Sequence, residues 1–344
     1  MASLDFTRRA VIAGAAALAA VPSTFATTPE EEAPIAPLPQ ARDRVKTFLS
    51  SLDENQRERT RFELGSSTWH NWNYFGGRLI KPGLPMKDMS DEQQIAALDL
   101  LSSVFSPTGM EKADRVMHLQ DVLAARGDPR RSSENFSFAV FGVPGPTTPW
   151  AFRFEGHHLT MTATFRGDDL IAVTPSSFSC NPNEVTSGDH RGMIALTDEE
   201  MLARTLQADL KSAARHHAQI DERAYRNIMT SAGREQSLIT PEGLPASDLT
   251  SGQTDLLFAL IETYAVDHLA FDIADNQRAR IRTGDSNAIR FAWAGGNEKG
   301  TPFYYRLTGE TFLIELATVD RQAQHLHTIY HDLERNLGGH VLAG

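Results

Sequence analysis

Phe136-Ser137-Phe138-Ala139-Val140-Phe141-Gly142, Trp150-Ala151-Phe152-Arg153-Phe154-Glu155 and Leu159-Thr160-Met161-Thr162-Ala163-Thr164-Phe165 alternate apolar with small or polar residues. A period of two sends successive side chains to opposite faces of a strand, so the three runs predict a short antiparallel series, to which Leu170 to Thr174 adds a strand. Upstream the period changes. Val45, Phe48, Leu49 and Leu52 recur at helical spacing from Ala41 toward Leu64. Ser90-Asp91-Glu92-Gln93 has the form of a capping box before Ile95, Leu98, Leu101 and Phe105, and Met110 to Ala125 carries a third apolar stripe that Gly127-Asp128-Pro129 ends. Downstream, Thr197-Asp198-Glu199-Glu200 opens a helix expected to reach about His217 and to continue in the next to about Ser231. Two more helices cover roughly residues 251–266 and 267–282. Ala288 to Trp293, Pro302 to Leu307 and Phe312 to Ala317 read as closing strands, with Thr308-Gly309-Glu310 as the last turn. Helices and strands in runs, without regular alternation, argue an α+β fold: a mainly helical N-terminal third, and antiparallel strands at about 136–180 and 288–317 packed with helices. No internal repeat is visible along the chain.

The start of the chain reads as an export signal. Thr7-Arg8-Arg9-Ala10-Val11-Ile12 places paired arginines before the apolar run Ala10 to Val21, and the small residues around Thr24-Phe25-Ala26 suit a signal peptidase. That is the pattern of a twin-arginine signal over residues 1–26, an ordinary secretory signal being the alternative. The run is too short for a permanent membrane anchor, which takes about 20 apolar residues. The twin-arginine translocase is thus expected as a transient partner and the destination as periplasmic or secreted. Residues 27–40, rich in proline and glutamate, cannot build a core and read as a linker, leaving 41–344 as one α+β domain. The formal charge of −11 becomes −12 when Asp5, Arg8 and Arg9 leave with the signal. With no basic stripe to offset it, nucleic acid is not an expected partner. The single cysteine, Cys180, excludes an intramolecular disulfide and a multi-cysteine zinc site, so any metal must take nitrogen and oxygen ligands.

Histidine supplies the chemistry. Gln324-His325-Leu326-His327-Thr328 puts two imidazoles on one face of an extended strand, and Glu155-Gly156-His157-His158 is a second dense spot. On a regular strand Glu155 and His157 share a face while His158 takes the other, unless a bulge at Gly156 re-aims them. His157, His158, His325 and His327 are therefore the candidate metal ligands. Glu155 and Glu315 are candidate ligands or general bases, and Arg306 a candidate clamp for a carboxylate or phosphate. If residues 325–334 were helical, His327 and His331 would pair instead at i, i+4. Nitrogen and carboxylate ligands suit zinc, copper or iron alike, so the sequence asks for a divalent metal without choosing it. Against this stands the reading in which the histidines hydrogen-bond core groups and hold no metal. Trp69, Trp72, Tyr74 and Phe75 read as core or pocket wall, and Cys180 as inert.

Trp150 to Leu159, Leu196 with Glu199-Glu200, Phe291-Ala292-Trp293-Ala294-Gly295-Gly296, Tyr304-Tyr305-Arg306-Leu307, Phe312-Leu313-Ile314-Glu315 and His325-Leu326-His327-Thr328 stand together in one order. In this the chain resembles domain-of-unknown-function family 3500, over about residues 41–340. The resemblance implies an exported bacterial protein with a shared polar cluster around the Gly-His-His and His-x-His segments, and supplies no substrate. The family tends to have Arg-Asp where this chain has His331-Asp332, and Leu333-Glu334-Arg335-Asn336 diverges before Gly338-Gly339.

No Gly-x-Ser-x-Gly elbow, phosphate-binding loop, dinucleotide fingerprint or His-Glu-x-x-His is present. The reading is an exported metal-dependent enzyme acting on a small-molecule substrate, leaning to hydrolysis by a metal-activated water. A copper- or iron-dependent oxidoreductase and a non-catalytic periplasmic metal- or ligand-binding protein are the alternatives.

Overall fold

The computed structural model describes residues 34–75, 81–128, 131–235, 237–238 and 240–342. Residues 1–26, read as an export signal, and residues 27–33, read as linker, lie outside them. The first half of the chain runs β1 (Ala36–Pro37), α1 (Pro39–Ser51), α2 (Glu54–Thr60), β2 (Arg61–Phe62), α3 (Ser67–His70), β3 (Leu84–Pro85), α4 (Asp91–Leu101), α5 (Pro107–Ala125), β4 (Ser137–Gly142), β5 (Pro149–Gly156), β6 (Leu159–Arg166), β7 (Asp169–Ala172) and β8 (Ser176–Phe178). The second runs α6 (Thr197–Asp209), α7 (Ser212–Ala218), β9 (Gln219–Asp221), β10 (Leu244–Pro245), α8 (Ser251–Ala265), α9 (Phe271–Thr283), β11 (Arg290–Gly295), β12 (Phe303–Thr308), β13 (Phe312–Thr318) and β14 (Leu326–Asp332). The fold is α+β.

These halves are two copies of one unit, which corrects the expectation of no internal repeat. Gly83-Leu84-Pro85 and Gly243-Leu244-Pro245 each pair the leucine with a phenylalanine of the next long strand, Phe138 and Phe291. Both glycines have positive φ, 108° and 99°, and a Cβ on either would come within 2.4 Å of that phenylalanine's carbonyl oxygen, so only glycine fits. Each segment leads into a capping box, Ser90 with Gln93 and Thr250 with Gln253, in which the hydroxyl and the glutamine satisfy each other's backbone N–H. Helix pair and strand meander then follow in the same order. The repeat is faint in the sequence because α8 is four residues longer than α4 and because, outside Gly-Leu-Pro and the capping-box glutamine, most matching positions hold a period and not identities.

The sheet order is β10-β11-β12-β13-β14-β8-β6-β5-β4-β2, so the two meanders meet at β14 and β8, and the outermost long strand of each half, β11 or β4, pairs with two short strands, β10 and β9 or β3 and β2. The pairs β2–β4 and β9–β11 are parallel, again once per half, and the sheet is mixed. Along every long strand one set of side chains, among them Phe138, Phe152, Met161, Tyr305, Ile314 and Tyr330, joins the main core with the helices. The other set is small or polar and faces the chain that follows β2 and β9, where Trp72, Tyr74 and Ile228 pack on Ala294, Ala317 and Ile329. Both faces are covered, and the strands are buried almost throughout.

Several boundaries move. Ile35, Ala36 and Leu38 are buried, the Ile35 N–H donates to Leu170 O at 2.7 Å, and Ala36 pairs with Leu170. The linker therefore does not extend to residue 40. The helix expected from Ala41 toward Leu64 is two helices, because Asp53 caps a new start. The N-terminal third is not a continuous helical block: its helices are interrupted by β1, β2 and β3 and by the irregular chain after α3. Beyond α7, residues expected to be helical to Ser231 form β9 and loop. Residues 326–332 are strand, which removes the helical alternative for His327 and His331.

Candidate metal centre

Gly156 and Leu159 are Cα partners, so His157 and His158 form the two-residue turn between β5 and β6. No bulge is needed to re-aim them. His158 sits at φ 72°, a left-handed conformation uncommon outside glycine, and its backbone is tied on both sides. Its N–H donates to Tyr74 O at 2.9 Å, and Ser179 N–H donates to its carbonyl at 2.7 Å. On the second segment, one Asp320 carboxylate oxygen accepts the N–H groups of Gln324 and His325 at 2.8 and 3.0 Å, and Val319 N–H donates to His325 O. These bonds set the entry into β14, and the period of two then turns His325 and His327 to the same side.

The two segments bring three imidazoles together. His158 Nε2 lies 3.0 Å from His325 Nε2, which lies 3.0 Å from His327 Nε2. Among the described residues, these three histidines alone offer candidate ligand atoms all within 4.8 Å of one another. A tetrahedral ion held at roughly 2.0–2.1 Å by imidazole nitrogens separates them by about 3.3 Å, so a shift of a few tenths of an ångström admits one.

Burial holds the set neutral. It pushes His327 down to about 3 and His158 well below the usual histidine range, the neighbouring imidazoles adding to the effect. His325, more open, is lowered by burial against the opposing pull of Asp320. Neutral imidazole is the ligand form. The tautomer of His327 is also fixed. Asn227 Oδ1 accepts the N–H of Ile228 at 2.9 Å, so that atom is the oxygen, and it lies 2.8 Å from His327 Nδ1. His327 Nδ1 must therefore carry the proton and Nε2 the lone pair that faces its neighbours. Tyr74 and Phe75 close one side, edge-on to His327 with ring centroids at 5.2 and 5.6 Å.

The other predicted residues are placed elsewhere. His157 stacks on His158 with centroids 3.6 Å apart, but its Nδ1 lies 2.7 Å from Gln120 Oε1, while Gln120 Nε2 donates to its carbonyl at 3.3 Å. That buried clamp makes His157 a support under His158, not a member of the triad, and burial pushes it down to about 2. Glu155 is buried beside Arg153 and accepts the N–H of Asn73 at 3.1 Å, and burial raises it above the usual carboxylate range. Glu315 accepts the N–H groups of Met229 and Thr230, both at 2.9 Å, and the hydroxyls of Thr230 and Tyr304. Four donors occupy its oxygens, so it pins the loop after β9. Arg306 is held by Glu242 at 2.8 Å. The sequence reading missed Asn227, Gln120 and Asp320. A polar residue inside an apolar helical stripe was a signal for Gln120, whereas Asn227 lay in a stretch read as helix.

The family model described as "Protein of unknown function (DUF3500)" matches residues 35–339. No curated protein and no solved structure matches this chain. Spanning both repeated halves, from the strand at residues 36–37 past His327, that match shows that the chain belongs to the DUF3500 family.

Proposed function

We propose that the chain is an exported metalloprotein in which His158, His325 and His327 hold one transition-metal ion that serves a hydrolytic reaction on a small molecule. The observation that carries the reading is the convergence of three Nε2 atoms in 3.0 Å steps, backed by an Asn227 contact that leaves His327 Nε2 free to bind. Three neutral imidazoles leave the full charge of a dication in place and a coordination position open, which is the donor set that lowers the pKa of bound water furthest toward neutrality. Glu155 and Glu315 are committed to backbone and hydroxyl donors, so activation of water falls to the metal and not to a carboxylate base. His157 and Gln120 hold His158, Asn227 holds His327, and Tyr74 and Phe75 shield one flank from solvent. The pattern of residues 1–26 supports export by the twin-arginine route, which carries folded cargo and so permits metal loading before transit.

A second reading has its own support. The Tyr74 hydroxyl is buried without a hydrogen-bond partner, and its ring meets His327 edge-on, so an oxidisable side chain flanks a ligand set that suits copper or iron as well as zinc. One experiment separates the readings: metal per chain, by mass spectrometry, in natively exported protein and in a His325→Ala/His327→Ala double variant. One zinc per chain, lost in the variant, supports hydrolysis. Copper or iron supports the redox reading, and a folded variant with full metal content removes the site.

A further inference from the structure

We propose that Arg131 is the anion-binding residue of the histidine centre, so that its substrate carries an oxyanion group, a carboxylate or a phosphate. This rests on the metal centre proposed above and deepens it. Arg131 sits in the segment between α5 and β4; two contacts lay that segment beside the His157–His158 turn, and a third orients the arginine within it. Ser133 N–H donates to Asp121 at 3.0 Å, on α5 next to the Gln120 that clamps His157. The Phe136 ring covers Gly156 so closely that a Cβ there would come within 2.3 Å of it. Asp128 accepts from Arg131 Nε at 3.1 Å and orients the guanidinium.

One edge of that guanidinium is left over. Arg131 Nη1 is buried and has no hydrogen-bond partner, although the side chain as a whole keeps 16% of its exposure. A buried, unpaired N–H of a charged group is costly, and a carboxylate or phosphate oxygen is the partner its geometry fits. The charge is felt at the centre, where Arg131 is among the groups that lower His157, His158 and His325. Arg306, the arginine that the sequence favoured for this role, is held by Glu242 and, unlike Arg131, does not act on His325. A cation beside three neutral imidazoles and a dication selects for negative charge in the ligand.

Calorimetric titration of acetate and of inorganic phosphate, separately, into zinc-loaded wild type and R131M tests the assignment, with zinc per chain measured first in each. We expect R131M to keep wild-type zinc and to bind the preferred anion at least tenfold more weakly, and the anion that binds tighter names the group. Equal anion affinity in a zinc-replete R131M overturns the proposal. If wild type holds no zinc, the metal reading fails on its own, and the same titrations on metal-free protein still decide: loss of anion binding in R131M upholds the arginine, and no binding by wild type overturns it. R131Q, which keeps a polar head, is read in the same way should R131M not fold.

Discussion

Replacing Asn227 by leucine should weaken metal binding without touching a ligand. In the wild type His327 Nδ1–H donates to Asn227 Oδ1 at 2.8 Å, and Nε2 is the free nitrogen. Leucine has nearly the same shape and no acceptor. The metal-free variant can then move its proton to Nε2, 3.0 Å from His325 Nε2, where it finds a partner. Binding a metal forces the proton back to Nδ1, which is now buried and unpaired, at a cost of about 1–3 kcal/mol. That corresponds to a loss of roughly 5- to 150-fold in affinity, in line with the 10- to 100-fold usual for residues that orient a ligand imidazole. The Ile228 N–H also loses its acceptor, but it does so with and without metal, so it lowers stability and cancels from the affinity. Competition against a chelator of known zinc affinity at pH 7.5 measures the effect, and urea unfolding accounts for the stability part. Asn227→Asp keeps the acceptor and should bind at least as well as wild type. Unchanged affinity in Asn227→Leu, beside a His327→Ala that binds nothing, would refute the tautomer argument.

Two further outcomes follow from residues that hold no metal themselves. His268 is 2% exposed, has no partner for either ring nitrogen and is pushed down to about 3 by burial. Its folded pKa lies below the unfolded value of about 6.5, so the stability it permits is present above that value and is lost as pH falls toward 3, at about 1.4 kcal/mol per pH unit. His268→Val should therefore lose about 2 kcal/mol less than wild type between pH 7.5 and 5.0 in urea unfolding, and equal losses would show that His268 protonates freely in the fold. Gly156→Ala forces a Cβ into the Phe136 ring, so it should cost about 1–3 kcal/mol and, by displacing the turn that carries His158, weaken metal binding too. Full affinity and a wild-type unfolding midpoint in that variant would mean that the turn tolerates the shift.

What was legible in the sequence is what local rules determine. The alternation of Phe136 to Phe141, Trp150 to Glu155 and Leu159 to Phe165 gave strands in the right places, and Ser90-Asp91-Glu92-Gln93 and Thr197-Asp198-Glu199-Glu200 marked two helix starts that the structure keeps to within a residue. His325 and His327 were readable because a period of two needs no tertiary information. His158 was not separable from His157, since the choice depends on a hairpin turn and on a φ of 72° that no propensity predicts. Glu155, Glu315 and Arg306 looked chemical because they are charged residues in apolar strands. Each instead ties a loop or pairs a neighbour, a use of buried charge that composition cannot tell from catalysis. Asn227 and Arg131 come from segments without regular structure, where sequence has least to say about direction.

The duplication explains why the centre stands where it does. Gly309 N–H donates to Phe312 O, as Gly156 pairs with Leu159, so Glu310-Thr311 is the counterpart of His157-His158. Leu333 N–H donates to Thr311 O just as Ser179 N–H donates to His158 O. By the same register, Thr164 pairs with Ala172 as Ala317 pairs with His327, so Ala172 answers to His327. The mate of the candidate metal site thus has a threonine in place of His158 and an alanine in place of His327. Of the three candidate ligands, His158 belongs to the first copy and His325 and His327 to the second. The flanking groups divide likewise, Tyr74 from the loop after α3 and Asn227 from the loop after β9. Neither copy alone holds the site, and a symmetric pair of either copy would not build it: the first lacks the His-x-His strand and the second the histidine turn. The centre is a product of divergence between the copies across the β14–β8 seam, and substitutions that loosen that seam should act on metal affinity even where they touch no ligand.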